Sequence, residues 1–373
     1  MRVLTFLHSF EPGGVERVAL RLVRRWRELG ADAPLFLGRA TGAMRDELAS
    51  DLAFESPRQP PFPVDAFETL WLIATLPTVI RRLKPDVLFC AGNSYAIVAV
   101  AMKLILGKGC PPILAKISND LDRRDMGWVS RRLYRFWLRI QGRFIDHFVG
   151  MERPMMQEIT ETIRPPLGQI SIIPDPALSM KQIDRLRQDR LAEGTPLTRA
   201  RRYVAAGRLA PQKNFALLLR AFATGAGALD TLTIFGEGPQ RGVLEALATR
   251  LGISCRITFA GHVSDPANLL FCFDVFLLSS DYEGVPAVIL EALASGLPII
   301  ATNCSRSMPA LLDHGKLGWL VPPSDVSAFS RAIAESAILR QDMTASLTQA
   351  SRFTLEQSAQ DYLSTCRSII TSW

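Results

Sequence analysis

The chain has 373 residues, 48% of them hydrophobic, and a formal net charge of +7. That length suggests about two domains, each with enough apolar residues for its own core. No run approaches the ~18 apolar residues of a membrane span, no basic stretch interleaves with aromatics as nucleic-acid binding needs, and the six cysteines and four histidines show no metal-ligand or disulfide spacing.

Met1 and Arg2 lead straight into a strand, which argues against a signal peptide. The scattered thiols read as reduced and cytosolic. Val3–Leu7 is the first strand, His8–Gly14 (HSFEPGG) its loop, and Val15–Leu29 a helix with Val15, Val18, Leu22, Val23 and Trp26 on one face. Gly13 and Gly14 let the backbone approach a ligand closely, although the full G-x-G-x-x-G fingerprint is absent.

Alternation continues with a strand over Ala33–Leu37, a helix over Asp65–Leu83 and a strand over Asp86–Cys90. A helix over Tyr95–Leu106, a strand over Ile113–Ile117, a helix over Val129–Arg143 and strands over Ile145–Val149 and Ile170–Ile173 follow. Repeated βα units predict a doubly wound parallel sheet. The loop after Ile117 (SNDLDRRD) falls on the same rim as Gly13 and Gly14. Within it Asp120 and Asp122 resemble the D-x-D that holds a divalent metal and diphosphate in another fold, one of a single domain with a different strand order. Along Val129–Arg143, Arg131, Arg135 and Arg139 share one helical face, and Leu133, Phe136, Trp137, Ile140 and Phe144 make the other. Such a helix either meets an anionic membrane surface or buries its apolar face on the sheet and leaves its arginines solvated.

The first domain is read as residues 1–173, with a helix at about 354–373 packing back on it. Residues 174–201 read as a hinge with a break at Gly194, Thr195 and Pro196, and 202–353 as the second domain. There the strand Tyr203–Ala206 leads into GRLAPQKN, which places Arg208 and Lys213 at a strand's carboxyl end. A planar fork and a mobile point charge suit a diphosphate. Thr231–Phe235 and Ile257–Ala260 are further strands, the latter ending in Gly261, His262 and Val263. Then Asp274–Thr302 (DVFLLSSDYEGVPAVILEALASGLPIIAT) reads strand, loop, helix, turn, strand, with Pro286 as the first helical residue. Glu283 lies just outside that helix and Glu291 inside it, leaning back toward its N-terminus. Gly284, Val285 and Ala287 offer backbone N–H groups to an anion. On spacing alone two such glutamates fit a solvated surface, which is the commoner case.

The ordered set GRLAPQKN, FGEGPQR, FAGHVSD, DYEGVPAVILEALASGLPIIAT and GWLVPPSD over Gly207–Asp325, with the early HSFEPGGVERVA, resembles the retaining glycosyltransferases of family 4. The resemblance implies the GT-B fold, an α/β architecture of two Rossmann-like doubly wound parallel-sheet domains facing across a cleft. It implies that Arg208 and Lys213 hold the diphosphate, Glu291 the ribose hydroxyls and Glu283 the donor sugar. Gly284, Val285, Pro286 and Ala287 would support sugar and phosphate, Gly261, His262 and Val263 the base, and Gly13 and Gly14 would approach the diphosphate from the other domain. Glu283, Arg208 and Lys213 are the catalytic candidates. One departure stands out. Many members carry a histidine in the loop after the strand at Ile113–Ile117, where this chain has Asn119. Asn hydrogen-bonds but cannot act as a base. Lys116, Asn119 and Asp120 are candidates for acceptor contact.

The implied activity is retaining, metal-independent transfer of a hexosyl group from a UDP- or GDP-linked sugar, with no cofactor and no metal site. The acceptor is a hydroxyl of a lipid-linked or growing cell-envelope polysaccharide. Alternatives are a nucleotide-sugar 2-epimerase on the same fold and a non-catalytic nucleotide-sugar-binding module. The location expected is cytoplasmic and peripheral on the inner membrane face, with an anionic membrane surface as the partner of Arg131–Arg143 and no nucleic acid.

Overall fold

The computed structural model of the chain describes residues 1–60, 64–123, 126–193 and 200–373. The expected break at 194–196 lies outside the described residues. The chain divides into two compact units, one of Met1–Pro176 with Leu355–Trp373, the other of Ala177–Thr354.

The first unit runs β1 (Val3–Leu7), α1 (Gly14–Glu28), β2 (Leu35–Leu37), α2 (Met44–Leu48), α3 (Glu68–Leu83), β3 (Val87–Cys90) and α4 (Ala96–Leu106). It continues with β4 (Ile113–Lys116), α5 (Trp128–Phe144), β5 (His147–Gly150), α6 (Pro154–Thr162) and β6 (Ile170–Ile172). Its strands form one parallel sheet in the order β2-β1-β3-β4-β5-β6. Thr5 of β1 pairs with Leu35 on one side and Phe89 on the other. The order therefore reverses between β1 and β3, the point where open α/β sheets form a crevice at their carboxyl ends.

The second unit holds α7 (Met180–Glu193), β7 (Arg202–Ala206), α8 (Phe215–Gly225), β8 (Thr231–Phe235), α9 (Arg241–Arg250), β9 (Ile257–Gly261) and β10 (Val275–Leu278). It ends with α10 (Ala287–Ala294), β11 (Ile299–Thr302), α11 (Met308–Leu311), β12 (Trp319–Val321), α12 (Val326–Glu335) and α13 (Met343–Ala350). The parallel order is β12-β11-β10-β7-β8-β9, so this sheet reverses between β7 and β10. Strands covered on both faces read as unbroken apolar runs, and VFLL of β10 and IIAT of β11 are buried throughout. Tyr203, Phe222, Leu232, Ile234, Leu277 and Phe329 pack in the core around them.

The last helix, α14 (Leu355–Ser372), belongs to the first unit. Trp26 of α1 meets Phe89 and Tyr362 edge-on, and its Nε1–H donates to the Ala359 carbonyl at 3.1 Å. An indole that donates as well as packs is satisfied on both its apolar and polar atoms.

Two expectations are corrected. Much of the polar stretch 174–201 is not a linker, because α7 occupies Met180–Glu193 within the second unit. Ser179 and Gln182 form a reciprocal capping box, Ser179 N donating to Gln182 Oε1 at 2.9 Å and Gln182 N to Ser179 Oγ at 3.1 Å. Ile183 and Leu186 are buried, and Arg190 donates to the carbonyls of Phe271 and Phe273. A stripe that narrow is masked by the surrounding charge.

The second correction concerns α5. Its buried residues are Leu138, Gln141 and Gly142, not the expected apolar set. A Cβ on Gly142 would stand 2.4 Å from the Ile163 carbonyl oxygen, so the helix backbone presses on the segment after α6 there. That close approach fixes the helix's rotation and turns Leu133 and Phe136 outward. Arg131 and Arg135 do not make a free basic face. Arg131 donates to the carbonyls of Arg123 and Met126, and Arg135 pairs with Asp122 at 3.2 Å.

Candidate active site

In the second unit the loops after β7 and β10, the two strands at the reversal, are laced together. Gln212 Nε2 donates to the Tyr282 carbonyl at 2.9 Å, and Asp281 N to the Gln212 carbonyl at 2.9 Å. Ser279 Oγ donates to the Lys213 carbonyl at 2.8 Å. Asn214 stands in left-handed backbone at φ 44° and serves both sides. Its Oδ1 caps α8 by accepting from Leu217 N at 3.1 Å, while its Nδ2 donates to Asp281 Oδ1 at 2.8 Å.

This lacing brings Lys213 and Glu283 together as an ion pair. Glu283 is buried, and the same oxygen accepts from Ser280 Oγ at 2.7 Å. Ser280 is itself held, its carbonyl accepting from Thr302 Oγ1 at 2.5 Å, and Ser305 Oγ donates to the Gly284 carbonyl at 3.0 Å. Cys304 lies nearby, and burial with the Glu283 charge pushes its thiol up to about 12, so it stays protonated.

Beyond Glu283 the chain enters α10. Pro286 is the cap rather than the first helical residue, with φ −72° and ψ 114°, and no side chain caps the helix. Ile289 N donates to the Pro286 carbonyl at 3.0 Å, and the N–H groups that open α10 carry the positive end of its dipole. Val285 is buried beside them, and Glu291 stands half-buried one turn inside. Arg208 is exposed at the other side of the rim. Gly207, Gly236 and Gly261 close the rim: Gly236 N donates to the Gly261 carbonyl at 2.7 Å, and a Cβ on Gly236 would fall 2.0 Å from the Gly207 carbonyl oxygen. His262 is exposed and Val263 half-buried after that turn. The structure thus gathers Lys213, Glu283 and the N-terminus of α10 around one sheet crevice, with Arg208, Glu291 and Gly261–Val263 on loops or helix starts of the same rim.

The reversal in the first unit is built differently. Gly13 caps α1 in extended backbone, and a Cβ there would meet Glu16 Oε2 at 2.0 Å. The space over this glycine turn is taken by the chain's own carboxylate. Glu16 Oε1 accepts from the Tyr95 hydroxyl at 2.6 Å, and the His8 ring stacks on Tyr95 with centroids 4.6 Å apart. Burial lowers the His8 pKa, so the ring is neutral near pH 7. Gly14 is exposed. Glu16 and Tyr95 are not among the residues that the sequence marks. An acid in the first turn after Gly-Gly was a readable signal for the former; nothing local marks the latter.

The expected acceptor residues separate. Lys116 is corrected: it is buried at the end of β4 and ion-paired with Asp175, out of reach of any acceptor. Asn119 is half-buried in the loop. Asp120 Oδ1 accepts from Asp122 N at 3.0 Å, a turn-forming bond. Asp122 is taken by Arg135. Behind them Glu158 of α6 is buried and accepts from Leu121 N at 2.6 Å and Asp122 N at 3.0 Å. Burial, then its hydrogen bond and charge contact with Asp120, push Glu158 up to about 8. A protonated Glu158 donating to Asp120 removes the repulsion that two carboxylates would suffer. The D-x-D spacing thus serves this loop's own bonding, and no group of three or more His, Cys, Asp or Glu is placed to hold a metal among the described residues.

Two family models match this chain: Glycosyltransferase Family 4 over residues 12–176 and Glycosyl transferases group 1 over residues 200–337. A lipopolysaccharide core biosynthesis glycosyltransferase, LpsE of Rhizobium meliloti, is 27% identical over 338 residues, covering 89% of this chain and 88% of the relative. Among solved structures, a sucrose-phosphate synthase from Thermosynechococcus elongatus superposes with a TM-score of 0.79 at 16% identity and full coverage of both chains. The Anabaena protein HepE, solved with UDP, gives 0.75 at 20% identity over 99% of this chain and 100% of its own. One model lies on each unit, each unit carries a six-stranded parallel sheet, and both structural neighbours extend over nearly the whole chain: it belongs to the group 1, family 4 glycosyltransferases and has the GT-B fold.

Proposed function

We propose that this glycosyltransferase transfers a hexosyl group, with retention and without a metal, from a nucleoside diphosphate sugar to a hydroxyl of a lipid-linked or growing envelope glycan. The observation that carries the reading is the Lys213–Glu283 pair beside the uncapped N-terminus of α10. A diphosphate is a divalent anion or more, and this crevice offers it an ammonium, an exposed guanidinium at Arg208 and the N–H groups that open α10. Glu291 is one turn from the same N–H groups, within reach of ribose hydroxyls, and the loop Gly261–Val263 flanks the base.

In this reading the acceptor oxygen bonds to the anomeric carbon on the face that the phosphate leaves. The carbon–oxygen bond to phosphate breaks, and the acceptor proton passes to the departing phosphate oxygen. Lys213 and Arg208 stabilise the charge that develops there. Glu283, held by Ser280, faces the donor sugar and returns to Lys213 when the diphosphate departs. The path needs no enzymic base, consistent with Asn119 in place of a histidine. The acceptor class is supported by the lipopolysaccharide-core relative, and UDP by the complex of HepE.

The test is to incubate the chain with UDP- and GDP-linked hexoses and an envelope lipid fraction, with EDTA present, and to read the product by NMR. An α-linked donor yielding an α-linked product supports the reading. An inverted anomer, or a free epimerised sugar nucleotide, refutes it.

A further inference from the structure

One acid of α6 shapes the loop that follows β4 in the first unit. Glu158 is buried, and its Oε1 accepts from Leu121 N at 2.6 Å and from Asp122 N at 3.0 Å. Its carboxyl also bonds with the side chain of Asp120, whose Oδ1 accepts from Asp122 N at 3.0 Å. The start of the same loop is tied to the loop after β3. Ser118 N donates to Asn93 Oδ1 at 2.7 Å, and Asn93 N to Ser118 Oγ at 3.3 Å. Asn119 and Asp120, both half-buried, stand between these two anchors at the carboxyl end of β4.

From this geometry we infer that Glu158 is a positioning residue for the acceptor, holding the loop after β4 so that Asn119 and Asp120 are presented to the acceptor hydroxyl. The inference rests on the transfer proposed above and adds to it the group that sets the loop's shape. A carboxylic acid suits this place because it both accepts and donates. One oxygen takes the two backbone N–H groups, and the O–H of the other donates to Asp120. Burial and Asp120 push Glu158 up to about 8, so the proton is present near neutral pH. When it leaves, two carboxylates face each other in a buried place, and their repulsion opens the bridge. The groups around the pair keep their charge from pH 7 to 9. Tyr134 of α5 lies beside Glu158, Asp120 and Arg123, and burial raises its pKa, so it stays neutral. Arg123 and Arg135 stay charged, Arg135 on Asp122. Glu161, on the same helix as Glu158, accepts from Gln157 Nε2 at 2.7 Å. In β5 and β6 the one titratable side chain is His147, which bonds to Ser171 Oγ at 2.8 Å and is kept neutral by burial.

The experiment compares the full chain with its Glu158→Gln variant, whose amide accepts the same two bonds and donates to Asp120 at every pH. The first arm reads hydrogen exchange over residues 118–122 at pH 7 and pH 9, corrected for the intrinsic rate. Protection in the parent is expected to fall at least about tenfold at pH 9, and Glu158→Gln to keep it. The second arm reads the apparent KM for an envelope lipid fraction and for the UDP- or GDP-linked hexose. At pH 9 roughly a tenth of the parent keeps the bridge, so its acceptor KM is expected to rise about tenfold over that at pH 7. Glu158→Gln should hold its acceptor KM, and the donor KM should be equal in the two proteins at each pH. Parent protection that does not change, or a fall that Glu158→Gln shares, overturns the inference. So does an acceptor KM that the parent keeps at pH 9, or a loss confined to kcat or to the donor KM. No transfer by either protein contradicts the proposed function and with it the acceptor role, whereas the exchange arm still decides the bridge.

Discussion

Each unit of the molecule contains one lysine–carboxylate pair at the carboxyl end of its sheet, and the two are built for different ends. Lys116 and Asp175 in the first unit have side chains only 3% and 6% exposed. Lys213 and Glu283 in the second are 20% and 9% exposed, and they lie between two loops beside an open helix N-terminus. A sealed pair has no other partner to take, so it fixes the backbone just before the chain leaves its unit at Pro176. A pair with one side open can exchange its partner for a ligand charge. The same two functional groups thus act as a pin in one place and, in our reading, as an anion receptor in the other. What separates them is access, not chemistry.

Breaking the sealed pair is expected to give the largest effect. Lys116→Met strands a buried carboxylate and costs about 3–5 kcal/mol in urea unfolding. Lys116→Met with Asp175→Leu should recover most of that loss. A single variant as stable as the parent would show that Asp175 finds water, and the contrast with Lys213 would disappear. Next comes Lys213→Met, expected to slow turnover about a hundredfold, roughly 2.7 kcal/mol of barrier. Its cost in stability should be smaller than at Lys116, because the partly open pair is screened. Wild-type turnover would remove Lys213 from leaving-group stabilisation.

A smaller effect tests the other filled crevice. Tyr95→Phe removes the hydroxyl that donates to Glu16, a bond to a charged acceptor, and about 1.5 kcal/mol of stability should go with it. An unchanged unfolding midpoint would mean that Glu16 is held by other groups. The last is a pH effect. Glu158 has its folded pKa raised to about 8, above an unfolded value of roughly 4.3, so the folded state binds the extra proton between them. Its contribution is complete below the unfolded value and is lost as pH rises through the folded one. The parent should therefore lose stability relative to Glu158→Gln between roughly pH 4 and 8. Parallel pH profiles would contradict a protonated Glu158.

Much of this was legible in the chain itself. Buried parallel strands are short apolar runs, and those over Val3–Leu7 and Thr231–Phe235 match the structure residue for residue. Loops with Gly, Arg, Lys and Glu at strand ends fall on the rim of the second unit's sheet. What the sequence hid depends on rotation and on partners distant in the chain. The apolar residues of α5 look like a core stripe until Gly142 fixes the helix's roll and turns Leu133 and Phe136 to solvent. Lys116 looks like a rim cation until Asp175, 59 residues later, covers it. Asp120 and Asp122 look like metal ligands until Glu158 and Arg135 engage them. In each case the residue type was read correctly and its neighbour was not visible.

In our reading the open crevice of the second unit receives a nucleoside diphosphate. Thermal shift of the full chain with UDP, GDP and ADP, with and without EDTA, tests it most directly, with Glu291→Ala as the paired variant. One nucleotide is expected to raise the midpoint by the same amount in EDTA, and Glu291→Ala to lose most of that rise. No shift with any nucleotide, a shift that EDTA abolishes, or a full shift in Glu291→Ala would contradict it.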